Sequence, residues 1–258
     1  MSARFDIITL FPEIFSAVTQ YGITARAQKR GLWNVHFWNP RDVTSDLHRT
    51  VDDRPFGGGP GMVMMADPLF LTLEHIRRSG NTGRVIAFAP SAQHLTDAHV
   101  REFSSQSDLQ LVLICGRYEG IDQRFLDTCV DELVSLGDFV LSGAELAACA
   151  LIDAVVRQLP GAIKDLSASD ESFATGFLDA PHYTRPEEWH GMRVPDVLLT
   201  GHHANIEAWR RRESLKATLV NRPELIEKAK ESGLLTKRDI KTLTELKDER
   251  GGKWKFSN

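Results

Sequence analysis

Apolar positions along the first 160 residues switch between two spacings. Phe5–Phe11 (FDIITLF), Arg84–Ala89 (RVIAFA) and Leu109–Cys115 (LQLVLIC) are short, nearly continuous apolar runs rich in β-branched and aromatic residues. Strands covered on both faces need such runs, so a parallel sheet is predicted. Trp33–Asn39 and Asp131–Leu141 read as further strands with more alternation. Between them the spacing predicts a helical segment from Pro12 to Gly31, a second opening at Asp67-Pro68, and a third from Thr96 towards Ser105. Ala144–Leu159 is apolar on almost every side, which predicts a buried helix ended by Pro160-Gly161. Repeated β–α alternation makes residues 1–160 an α/β domain.

The pattern then changes. Residues 161–176 (GAIKDLSASDESFATG) are small, polar and acidic, and the run is long for an ordinary connection, so it is a linker or a functional loop. Residues 177–258 read as a small helical domain, with helices over Asn205–Val220, Pro223–Ser232 and Thr236–Leu246. Thr236 followed three residues later by Asp239 is a capping-box-like start. The charged, glycine-containing tail from Lys247 is expected to fray.

Composition adds limits. With 42 % hydrophobic and 26 % charged residues in 258, the chain is not disordered overall, and no apolar run approaches the roughly 18 residues of a membrane span. The N-terminal stretch has acids inside its apolar run and is not a secretory signal. Cys115, Cys129 and Cys149 never fall as C-x-x-C, which argues against a disulfide framework or zinc site and for a reducing, cytoplasmic setting. Charge is unevenly placed: residues 201–258 hold 14 basic and 9 acidic side chains, a net of +5, whereas the preceding 200 hold 17 and 26, a net of −9. A basic third on an acidic body suits a polyanion meeting only part of the chain, or else a solvated helical surface.

Candidate chemistry sits on four stretches. Gly57-Gly58-Gly59-Pro60-Gly61 is neither a G-x-G-x-x-G fingerprint nor a Walker loop, yet its backbone amides can approach a ligand closely; the alternative is a surface turn. Cys115–Gly120 (CGRYEG) follows directly on an apolar strand, where α/β sheets collect ligands, and Glu119 suits an amine or a ribose hydroxyl. Leu136–Gly143 (LGDFVLSG) repeats that pattern. Arg157, in the last turn of the buried helix, is explained by the helix dipole or serves as an anion clamp. Arg210-Arg211-Arg212 lie about 100° apart around a helix, so the three cannot face one partner; with Lys216 and Arg222 they suit a phosphate backbone.

HRTVDDRPFGGGPGMVM (His48–Met64), CGRYEGID (Cys115–Asp122), SLGDFVLSG (Ser135–Gly143) and PHYTRPEEW (Pro181–Trp189), with ITLFPEIF and VPDVLLTGHHANI, occur in the order and spacing of one family. From Phe5 to about Leu246 the chain closely resembles the bacterial tRNA (guanine-N1)-methyltransferases, the TrmD family of the SPOUT superfamily. The resemblance implies a parallel sheet with a deep trefoil knot, a homodimer with shared active sites, S-adenosylmethionine as cofactor, and a family habit of requiring Mg²⁺, for which no ligand cluster is legible. It implies methylation at N1 of the guanosine immediately 3′ of the tRNA anticodon, so the partner is the anticodon stem-loop.

By motif position the implied cofactor contacts are Ala89, Pro90, Gly116, Tyr118, Glu119, Leu136, Gly137, Asp138, Phe139, Val140, Leu141 and Gly143. Asp53, Gly58, Gly59, Ser172 and Arg210 are the implied substrate contacts. Guanine N1 carries a proton at neutral pH, so it needs a base at N1 and a cation where charge develops on O6. The family gives these roles to a linker carboxylate and to the arginine ending the buried helix, hence to Glu171, with Asp170 as the reserve base, and to Arg157. The chain departs from the family pattern at Glu171, where aspartate is usual, at Ala92 and Ala144, where glycine is usual, and at Ala147, where proline is usual. Two other readings are carried alongside: a SPOUT methyltransferase with a different RNA target, and a tRNA-binding paralogue without catalysis.

Overall fold

A computed structural model describes residues 2–163 and 171–250, which fall into two compact units, Met1–Asp165 and Leu166–Asn258. The expected 161–176 linker straddles that division, and Asp170 lies outside the described residues. The first unit is built on a five-stranded sheet formed by β1 (Ala3–Ile8), β2 (Trp33–Trp38), β5 (Arg84–His94), β6 (Gln110–Ile114) and β7 (Glu132–Ser135). Its strand order is β2-β1-β6-β5-β7, and every pairing is parallel. The first unit also carries the short hairpin of β3 (Asp52–Asp53) with β4 (Val63–Met64), and the second unit carries that of β8 (Glu188–Trp189) with β9 (Met192–Arg193).

The continuous apolar runs are explained by cover on both faces. Phe5, Ile7, Leu111, Leu113 and Ile86 point to one side and pack with Val155 and Ile152 of α6 (Glu145–Gln158). Ile8, Val112, Ile114 and Val85 point to the other, against Leu69, Leu73 and Ile76 of α3 (Ala66–Arg78) and Phe125 of α5 (Gln123–Cys129). Each such side chain removed from water stabilises the fold by roughly 1.5–3 kcal/mol before the entropy cost of ordering it. Thr96 caps α4 (Asp97–Ser104) in a reciprocal box with His99.

Three expectations are corrected. The Pro12–Gly31 segment is not one helix: a 3-10 turn (Pro12–Phe15), α1 (Ser16–Thr19) and α2 (Gly22–Lys29) are separated at Tyr21-Gly22, where Gly22 takes φ +71°. The strand expected over Asp131–Leu141 stops at Ser135, and Leu136–Gly143 is loop. In the second unit the last helix does not fray at Lys247 but runs to Arg250.

That second unit comprises α7 (His203–Asn221), α8 (Pro223–Glu231) and α9 (Lys237–Arg250) around Phe177, Leu215, Leu219, Ile226, Leu243 and Leu246. Residues 171–180 belong to it. Phe173 N–H donates to the Phe177 carbonyl, Asp179 N–H to the Ser172 hydroxyl, and Leu178 N–H to Thr218. No helix among the described residues is long and apolar enough to cross a membrane.

Candidate active site

A cavity of about 390 Å³ opens at an interruption of β5 and beyond the carboxyl ends of β6 and β7, where backbone leaving a parallel sheet is free to bind ligands. Three segments form its walls. The first is an interruption of β5: its register against β7 breaks between Phe88 and Gln93, and Ala89 and Pro90 line the cavity from this bulge. The second is the turn Gly116–Gly120 after β6, and the third is Leu136–Gly143 after β7. Phe139, Val140 and Leu141 are 55 %, 83 % and 36 % exposed, so their apolarity serves the cavity and surface rather than the core.

Of the residues expected around a cofactor, Ala89, Pro90, Gly116, Tyr118, Glu119, Leu136, Gly137, Phe139, Val140, Leu141 and Gly143 all line this cavity. Asp138 does not; its carboxylate is solvent-exposed and pairs with His94 at 3.0 Å. Ala144 and Ala147 also line it, whereas Ala92 does not. Ile121, Gln123 and Leu126 line it without having been expected there; the last two sit on α5, whose seven residues are too few to show a helical period in the sequence.

Arg117 ties the walls together. Its guanidinium contacts both oxygens of Glu145 at 3.1 and 2.9 Å, donates to the Ser142 carbonyl at 3.2 Å, and stacks over Phe11 at 4.4 Å. Glu145 is 1 % exposed and begins α6, where the helix dipole favours a carboxylate. Its Oε1 also accepts the Thr9 hydroxyl at 2.9 Å, and Thr9 in turn accepts the Phe11 N–H. The Oε2 has its charge contact with Arg117 but no aligned hydrogen-bond donor among the described residues. Gly143 is required here because a Cβ would strike the Arg117 side chain. Behind this layer Cys115 is buried, and burial pushes its thiol well up.

The glycine loop is joined to the same wall. It caps the β3–β4 hairpin, whose backbone docks on the Gly116–Asp122 turn: Glu119 N–H donates to the Met62 carbonyl, Met64 N–H to Gly120, and Asp122 N–H to Met64, each at 2.9 Å. Gly61, at φ +80°, lies where a Cβ would overlap the Glu119 side chain. Asp53, Gly58 and Gly59 are exposed on this hairpin. Tyr118 holds φ +59°, a conformation costly for a non-glycine residue, and its hydroxyl meets Arg41 at 3.4 Å. Burial, then the hydrogen bond to Asp52, raises its pKa.

Arg157 is half-buried in the last turn of α6. In the second unit Glu171 and Ser172 are also half-buried, and Phe173 beside them takes φ +71°. The three successive arginines divide as the helical angle requires. Arg211 makes paired 2.9 Å contacts to the buried Asp239 and lies over Phe177, and Arg212 pairs with Glu249. Arg210 is exposed with no ion pair among the described residues. The Arg222 guanidinium is held by Glu224 and lies 5.7 Å from the Phe173 ring centre. Among the described residues no three His, Cys, Asp or Glu side chains come together as a metal site.

Residues 3–228 match the family model described as tRNA (Guanine-1)-methyltransferase TrmD. The chain belongs to the TrmD family. It is 55 % identical over 249 residues to a Herminiimonas arsenicoxydans protein named tRNA (guanine-N(1)-)-methyltransferase, a match covering 94 % of this chain and 100 % of that one. A protein of the same name from Burkholderia mallei (strain SAVP1) is 54 % identical over 252 residues, 95 % of each chain. As a TrmD-family member the chain places its two glycine-bearing turns, Gly116–Gly120 and Leu136–Gly143, on one cavity above a parallel sheet.

Proposed function

We propose that this chain methylates N1 of guanosine in tRNA, at the guanosine immediately 3′ of the anticodon, using S-adenosylmethionine. The observation that carries the reading is the cavity at the strand ends in a TrmD-family chain. Its residues fit the cofactor: apolar walls at Leu136, Phe139 and Leu141 suit a planar base, glycines let backbone amides reach its edge, and the Glu119 carboxylate suits a cationic amine or a ribose hydroxyl. When bound, S-adenosylmethionine supplies an electrophilic methyl group.

The rest of the chemistry falls to the protein. Glu171 takes the N1 proton, since the neutral guanine is a poor nucleophile until that proton leaves. Arg157 faces the charge that develops on O6. The target base lies in a single-stranded loop, where displacing it from the stack costs little. The exposed Arg210 holds phosphate without reading sequence. The Asp53, Gly58, Gly59 hairpin and Ser172 form the substrate side. The unit boundaries 1–160, 161–176 and 177–258, the trefoil-knotted SPOUT topology, a cytoplasmic homodimer and shared active sites complete the reading. Family membership and the parallel sheet support the topology.

Single-turnover methyl transfer tests the roles. Glu171→Gln is expected to lower the rate at least about 100-fold with tRNA affinity retained, and Arg157→Ala by a similar factor. Retained activity in Glu171→Gln combined with loss in Asp170→Asn transfers the base to Asp170. Activity that survives both substitutions refutes a carboxylate base in this loop.

A further inference from the structure

Glu145 and Thr9 stand outside every role assigned so far, yet they form a buried polar cluster beside the cavity. Both are 1 % exposed, and they come from opposite ends of the first unit's sequence. Burying a carboxylate is costly unless it is paired and hydrogen-bonded. Here one oxygen takes both the Thr9 hydroxyl and the Arg117 Nε–H, and the other faces the Arg117 Nη2.

We infer that Glu145 and Thr9 are positioning residues that lock Arg117 as a strut between two walls of the cofactor cavity. The inference rests on the proposed S-adenosylmethionine site. Arg117 belongs to the wall after β6, and its Nη1 reaches the Ser142 carbonyl in the wall after β7. The Ala144 N–H donates to the Gly116 carbonyl at 3.1 Å, so the same walls are also joined through backbone. Phe11 closes the outer face of the guanidinium, and Gly143 leaves it room. Held this way, Arg117 fixes the separation of the walls before ligand arrives. Binding then need not bear the entropy of ordering two loops. Thr9 carries the device back to the end of β1 through its accepted Phe11 N–H, and on to the end of β2 through its own N–H to the Trp38 carbonyl.

A positioning role acts on cofactor affinity and leaves the methyl-transfer step alone. The test is titration calorimetry of S-adenosylmethionine into the full-length protein, paired with single-turnover rates at saturating cofactor and with melting temperatures. Glu145→Gln is expected to weaken binding roughly tenfold or more, the size of one lost charged hydrogen bond. Thr9→Val weakens it roughly three- to tenfold and Thr9→Ser restores it, with saturated rates within about threefold of the parent throughout. If Glu145→Gln does not fold, Thr9→Val and Thr9→Ser carry the comparison. Variants that melt earlier but bind the cofactor within twofold of the parent overturn the inference, because the cluster is then structural only. A parent that does not bind S-adenosylmethionine overturns the proposed cofactor site and this inference with it.

Discussion

Neutralising Asp239 tests how the basic unit is assembled. Its side chain is 4 % exposed, makes paired 2.9 Å contacts to Arg211, and accepts the Thr236 N–H and hydroxyl at 3.0 and 2.8 Å. The Arg211 hydrogen bonds above all, with Thr236 adding to them, hold its pKa down from 3.8 to about 2. At 1.36 kcal/mol per unit that is about 2 kcal/mol of folding stability; Arg211 is one-third exposed, so solvent screening trims it to roughly 1–2 kcal/mol. The folded pKa is depressed, so the unfolded chain binds the proton first as pH falls. The contribution is therefore complete above about pH 4 and disappears as the pH passes down through about 2. Asp239→Asn should destabilise the second unit by roughly 1–2 kcal/mol at pH 7, and the gap from the parent should close below pH 4. Urea denaturation between pH 7 and 2, with hydrogen exchange in α7 and α9 identifying the affected unit, measures both. An equal gap at all pH values, or no gap at pH 7, refutes the assignment.

Further expectations concern the two surfaces that ligands would meet. Arg210→Ala should weaken tRNA binding and reduce the salt slope of log Kd by about 1 without changing stability, since Arg210 has no ion pair among the described residues; filter binding across a salt series checks it. Gly61→Ala forces φ +80° on a Cβ residue and pushes the Glu119 side chain aside, so S-adenosylmethionine affinity should fall several-fold by calorimetry. At pH 8, iodoacetamide should modify Cys129 before the other thiols. Burial pushes Cys115 well up and Cys149 up to about 11, and mass spectrometry of the folded protein would contradict this by finding either labelled first.

Much of this architecture was legible in the sequence for identifiable reasons. Strands β1, β5 and β6 are covered on both faces, and that demand writes itself as unbroken apolar runs such as LQLVLIC. The misreading at Asp131–Leu141 has the opposite cause. Phe139, Val140 and Leu141 are apolar for a cavity wall, and a wall that faces a ligand follows the same local pattern as a strand that faces a core. The interruption of β5 was invisible for a related reason, since one chain's pattern does not reveal the register against β7 in which the bulge exists.

Long-range polar partners were equally hidden. Glu145 is only one member of the apolar run Ala144–Leu159 in the sequence, and nothing in the spacing links it to Thr9 or Arg117, 136 and 28 residues away. The division of the three arginines was half legible: the 100° step says that they part company, but which one stays exposed depends on Asp239 and Glu249 in another helix.

The proposed reaction is methyl transfer to guanine N1 beside the anticodon. The most direct measurement is single-turnover transfer from labelled S-adenosylmethionine to a tRNA transcript with guanosine immediately 3′ of the anticodon. A matched transcript with adenosine there runs alongside, and nuclease mapping locates the methyl group. Label on N1 of that guanosine, with none on the adenosine transcript, is the predicted result. Equal labelling of both transcripts, label at another position, or tight tRNA binding without transfer would contradict the account.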